Sequence, residues 1–157
     1  MRRAGVGDWE ALREIRLESL RDTPDAYGST FEESRRWREP KWRWAAAKWV
    51  YFLAERDGRV VGMNSGGFND RHPGTHWMYG MYVTPDERGR GAATSLVDAV
   101  GRWARDEGAR ALYLHVTTAV PRARAFYEKT GFVANGERTP LDRDPAITLV
   151  TMVMSLD

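Results

Sequence analysis

Apolar residues recur at helical spacing in some windows of the chain and alternate in others, and the two rhythms divide it into elements. After Asp8, the positions Leu12, Ile15, Leu17 and Leu20 predict a helix that Thr23-Pro24 stops. Residues 30 to 49 predict a second helix, broken or restarted at Pro40. `YFLAE`, `RDG` and `RVVGMNSGGF` predict a strand, a tight turn and a strand; after the polar loop `NDRHPGT`, `HWMYGMYV` predicts another strand rich in aromatic and branched side chains. The firmest helix follows: Leu96, Val97, Val100, Trp103 and Ala104 share one face, Asp98 and Arg102 pair on the other, and Gly108 ends it.

In `ALYLHV`, Leu112, Leu114 and Val116 alternate with Tyr113 and His115, the mark of a strand covered on one face. Pro121 suits the first turn of a helix carrying Ala123, Phe126 and Tyr127, and Gly131 suits a left-handed stop. A last strand, Ile147 to Leu156, is apolar on both faces and is expected inside a sheet. The order is helix, helix, a meander of strands, then strand–helix–strand–helix–strand. It predicts a mixed α/β sheet covered by helices, with no repeat or linker.

Composition narrows the chemistry. At 157 residues the chain has the length of one domain, and 24 Lys plus Arg against 22 Asp plus Glu leaves a net charge of only +2, which argues against nucleic-acid binding by bulk charge. There is no cysteine, so disulfides, thiolate zinc sites and a covalent acyl-cysteine are excluded. No apolar run approaches the roughly 18 residues of a membrane span, and `MRRAGVGDWEALREIRLESL` has no apolar signal core, so a cytoplasmic protein is expected.

Between the strand and the firmest helix lies `ERGRGAAT`. The first N–H groups of a helix lack internal partners and carry the positive end of its dipole, so they attract an anion. Gly89 and Gly91 let the backbone approach and bend, and Arg88 and Arg90 add charge at the same point; a diphosphate would satisfy all of it. A nucleotide P-loop needs a Gly-Lys-Ser/Thr closure, and no lysine lies between Lys48 and Lys129. A dinucleotide fingerprint needs a third glycine where Thr94 stands. A third pattern, Arg/Gln-x-x-Gly-x-Gly/Ala, is met by Arg88, Gly91 and Ala93.

Together, `MYVTPDERGRGAATSLVDAV`, `ARALYLHV` and `RARAFYEKTGF`, in that order and spacing, resemble the GNAT superfamily of acetyl-CoA-dependent N-acetyltransferases. The resemblance implies one domain over residues 1–157, a GNAT-like α/β fold with a mixed, mostly antiparallel central sheet flanked by helices. It also implies that acetyl-CoA is the cosubstrate, with no metal. By similarity, the backbone of Met81, Tyr82 and Val83 pairs with the pantetheine arm, and the N–H groups of Arg88, Gly89, Arg90, Gly91, Ala92, Ala93 and Thr94 cradle the pyrophosphate. Tyr127 matches the tyrosine that in many relatives protonates the departing thiolate. Val120 stands where family members often carry asparagine.

An alkyl ammonium must lose its proton before it can attack a thioester. `HWMYGMYV` holds no carboxylate to take it, which leaves His76, Tyr79, His115 or a water chain; His76 is expected to face solvent and His115 to pack beside Tyr113. Trp37, Trp42, Trp44 and Trp49 crowd one segment among basic residues. Trp42, Ala45, Ala46 and Trp49 share a core-like helical face, while Trp44 points elsewhere, so Trp44 or Trp37 could line a slot for an apolar acceptor. Glu32, Glu33 and Glu39 interrupt the positive face and argue against membrane or nucleic-acid attachment there. The expected acceptor is a small-molecule amine, with a peptide amine or a non-catalytic CoA-binding module as alternatives; a homodimer is common among proteins of this kind.

Overall fold

The computed structural model describes residues 1–157. Its elements are β1 (Arg2–Arg3), α1 (Trp9–Asp22), α2 (Phe31–Arg35), α3 (Glu39–Lys48), β2 (Val50–Arg56), β3 (Arg59–Phe68), β4 (His76–Val83), α4 (Ala92–Asp106), β5 (Ala111–Thr117), α5 (Pro121–Lys129), β6 (Val133–Leu141) and β7 (Asp144–Ser155). The seven strands form one sheet in the order β1-β2-β3-β4-β5-β7-β6. Only β4 and β5 run parallel, joined by the crossover helix α4.

The expected helix over 30 to 49 is two helices. Thr30 and Glu33 form a reciprocal cap that starts α2, and Pro40 sits in the first turn of α3, where its missing N–H costs nothing. Strand β7 starts three residues earlier than expected and lies between β5 and β6, as its two apolar faces required. Strand β6 was not expected: `VANGERTPL` is a largely exposed edge strand, without the alternation that marks a half-buried one.

The sheet's two faces are filled differently. Leu112, Leu114 and Val116 of β5 meet Val97, Val100, Trp103 and Ala104 of α4 in a core of thirteen buried residues that includes Tyr127 and Phe132. Val100, Leu112 and Met152 are fully buried, each contributing about 1.5–3 kcal/mol by removal from water. The opposite face carries α1 and α3 over a smaller cluster of Leu12, Ile15, Ala46, Leu53, Met63 and Tyr82.

Two local features position the site. Strands β4 and β5 pair only at His76–Leu112 and Trp77–Tyr113, so from Met78 onward that edge of β4 has no strand beside it. On its other edge, Tyr82 pairs with Met63 and Tyr79 with Ser65, so Gly80 and Met81 together oppose Asn64. This is a β-bulge, and Gly80 adopts the φ of +64° it requires.

Candidate active site

Gly91 is the N-cap of α4, and its φ of +90° is left-handed, as is that of Gly89 at +78°. No side chain caps the helix and its first turn holds no acid, so the leading N–H groups have no side-chain partner. A Cβ built on Gly89 or Gly91 meets nothing within 4 Å; the space over this loop is open. Loop, glycines and helix start therefore stand together as the sequence required, and they fit a diphosphate.

The two arginines are held differently. Arg88 Nε donates to the Val83 carbonyl at 3.1 Å and its Nη2 bonds Asp22, so its charge is neutralised while it ties the end of β4 to α1. Arg90 leans on Glu87 at 3.5 Å, and the buried Glu87 is also held by Arg56 at 2.6 Å. Arg88 is thus paired, whereas Arg90 shares the one Glu87 carboxylate with Arg56 and stays 62% exposed, so one positive charge remains beside the backbone dipoles of the loop.

At the free edge of β4, the Thr84 N–H bonds back to Val61 on β3 at 2.9 Å, so strand alternation turns Met81 and Val83 the other way, toward the fork. Their carbonyls are occupied: Tyr27 Oη donates to the Met81 oxygen at 2.9 Å, and Arg88 to that of Val83. What that edge offers a ligand is therefore N–H groups. Tyr82 does not join them, because its backbone faces β3 and its phenol packs with Leu12, Ile15 and Met63.

Tyr127 is buried in the main core on α5, against Phe126 and Phe132. Burial, and secondarily the nearby Tyr27 phenol, push its pKa well above the usual tyrosine value, so the hydroxyl stays protonated. Val120 occupies the N-cap of α5 and offers no side-chain hydrogen bond there.

Of the three candidate bases, none stands as a poised one. His76 is not solvent-facing: its ring is wedged between Phe68 and Trp103, with Nε2 buried and unpartnered, on the α4 face of the sheet. The His115 ring packs edge-on against Trp77 at 4.8 Å between centroids; burial lowers its pKa, so it is neutral at pH 7, but it does not line the cavity described below. Tyr79 does line it, and burial pushes its pKa up to about 12.

That cavity, of about 220 Å³, opens on the α1/α3 face. All four tryptophans of the crowded segment line it, and it reaches Gly80 at the bulge. Trp42 is buried, as the helical face required, while Trp44 is 54% exposed at the rim. No carboxylate is among its lining residues. Three residues that matter here were not singled out from sequence. Tyr27 and Ser29 come from the loop after α1, which Arg143 clamps through the Pro24 and Tyr27 carbonyls. Arg16 sits four residues after Leu12 and four before Leu20, a charged residue on the apolar stripe of α1; that misplaced charge was the available signal.

No group of three or more His, Cys, Asp or Glu is placed to hold a metal ion, and no helix is long and apolar enough to cross a membrane.

The sequence matches the profile of the acetyltransferase (GNAT) family over residues 9–132. An uncharacterized N-acetyltransferase of Mycobacterium tuberculosis is 38% identical over 89 residues, 55% of this chain and 54% of that protein. The mycothiol acetyltransferase of Thermobispora bispora is 30% identical over 129 residues, covering 80% of this chain and 43% of that protein. The matches thus span about half the length of these relatives. The yncA protein of Salmonella typhimurium, solved with acetyl-CoA, superposes over 99% of this chain and 92% of its own with a TM-score of 0.79 at 21% identity, a likeness of fold. With the forked β4/β5 pair and the uncapped glycine loop leading into α4, the profile match over most of the sequence establishes that the chain belongs to the GNAT family of acetyltransferases.

Proposed function

We propose that the chain transfers an acetyl group from acetyl-CoA to the primary amine of a small molecule, with both substrates bound together. One observation carries the choice of acceptor: the cavity is small, walled by aromatic rings, and ends at Gly80 on the bulge of β4. Such a shape suits a compact molecule better than an extended peptide. Use of acetyl-CoA is supported by family membership and by the open α4 N-terminus beside an unpaired strand edge.

Acetyl-CoA supplies an acyl carbon activated as a thioester. Gly89 to Thr94 would hold its pyrophosphate through backbone N–H groups, and the free edge of β4 at Met81 and Val83 its pantetheine arm. Because the chain has no cysteine to take the acyl group first, the acceptor nitrogen attacks directly. An amine titrating near ~10.4 must lose a proton before it attacks. With no carboxylate in the cavity and Tyr79 neutral, water carries that proton away. Tyr127 remains a donor throughout. As a weaker acid than a thiol, whose pKa is about 8.5, it stabilises the departing sulfur by donating a hydrogen bond rather than by giving up its proton.

The test follows thiol release from acetyl-CoA against small primary amines and against peptides with free N-termini. Release with small amines alone is the expected result. Release with peptides alone overturns the acceptor assignment. Saturable acetyl-CoA binding with no release on any amine, from neutral pH upward, would make the chain a non-catalytic CoA-binding module.

A further inference from the structure

Helix α1 presents Leu12, Ile15, Ser19 and Leu20 to the interior, and Arg16 falls on that stripe. Its Nη2 donates to Ser29 Oγ at 2.7 Å and its guanidinium carbon lies 4.5 Å from the centre of the Tyr27 ring. Its Nη1, however, is buried with no acceptor. The titratable groups that face it are the phenols of Tyr27 and Tyr51; burial raises the pKa of both, so neither supplies a negative charge. Trp42, which lines the same cavity, also has a buried Nε1–H without an acceptor. Proteins rarely bury a guanidinium without a counter-charge, and an unmet buried donor is costly. Two such donors on residues lining one cavity, one of them cationic, describe half of a binding site.

We propose that the acceptor carries a carboxylate that pairs with Arg16 Nη1, with Trp42 Nε1 as a second donor, so that the acceptors are amino acids whose apolar or aromatic side chains lie among the tryptophans. The proposal rests on the acetyltransferase reading and narrows it. One guanidinium balances one carboxylate, whereas a phosphate monoester would bring a second negative charge with no cation to meet it. Position agrees with charge. Arg16 Nη1 lies 3.6 Å from where a Cβ on Gly80 would stand, so the anion site abuts the bulge. In an amino acid the amine is only a few bonds from the carboxylate, which keeps it close to the β4 edge assigned to the thioester.

Quenching of the cavity tryptophans reads binding without catalysis. Titrations with N-acetyl-L-phenylalanine and N-acetyl-L-leucine should give dissociation constants lower than those of the matching carboxamides by about tenfold or more. Arg16→Gln should abolish that preference and Arg16→Lys should restore part of it. Equal binding of acid and amide by the unmodified protein, or no binding of either, overturns the proposal without recourse to any variant. A second arm compares thiol release with L-phenylalanine and with phenethylamine. Preference for the acid in binding but no release with any amine leaves the carboxylate site standing and removes the acetyltransferase reading. Equal turnover of phenethylamine and phenylalanine does the reverse.

Discussion

The two faces of the sheet are built from alternate residues of the same strands, yet they are finished to different standards. On the α4 face, Val100, Leu112 and Leu114 are sealed and α4 buries seven of its residues. On the α1/α3 face, the packed cluster gives way to a cavity with two unmet buried donors. A strand held firmly from one side can leave its other side unfilled and keep its register, because register is set by whichever face is buried. Here the packed face fixes the fork and the glycine loop before α4, and the unfilled face holds the cavity proposed for the acceptor.

Neighbouring glycines on β3 give the sharpest test of that division. A Cβ on Gly66 would stand 2.3 Å from two atoms of Trp103, which is 93% shielded in the sealed core; one on Gly67 would stand 2.1 Å from Trp49, which is half-buried and lines the cavity. Trp103 has nowhere to go, so Gly66→Ala should cost about 3 kcal/mol by overpacking, a fall in Tm of roughly 6–12 °C for a chain of this size. Trp49 can swing, so Gly67→Ala should cost about 1 kcal/mol and act chiefly by raising the acceptor KM. Equal melting temperatures for the two variants would mean the faces do not differ in the sense argued.

The next two changes ask whether the packed face also touches the chemistry. Tyr127→Phe keeps the ring in the core and removes only the hydroxyl, so kcat should fall about 100-fold while acetyl-CoA affinity and Tm hold steady. An unchanged kcat confines Tyr127 to packing. Gly91→Val forces a branched side chain into a φ of +90° at the start of α4, a strain of about 1–2 kcal/mol, and should weaken acetyl-CoA binding roughly tenfold by calorimetry. If affinity is retained, the pyrophosphate lies elsewhere.

What the sequence disclosed follows the same division. Helix α4, strand β5 and the turn glycines were legible because periodicity and left-handed stops are local properties of a packed face. The pairing of Arg88 was not legible because its partner is tertiary: Asp22 lies 66 residues away. Strand β6 escaped notice for the opposite reason, since an exposed edge strand needs no apolar rhythm. Arg16 and Tyr27 come together only after the loop at residues 24 to 29 folds over β4, so the site proposed for a carboxylate had no linear motif.

Trp44 should show the smallest effect on folding and the clearest separation of folding from function. Its ring is 54% exposed and Lys48 Nζ sits 5.0 Å from it, a pairing worth little at the surface. Trp44→Ala should therefore shift stability by no more than about 0.5 kcal/mol, the range of an ordinary surface substitution. Yet the same ring lines the mouth of the cavity, and a compact apolar acceptor loses contact area when it is truncated. The acceptor KM should rise while kcat and the KM for acetyl-CoA stay unchanged, the signature of lost binding rather than lost chemistry. A Tm drop of several degrees would instead assign Trp44 to the core of α3, and the cavity would then be a gap in packing rather than a place for a substrate.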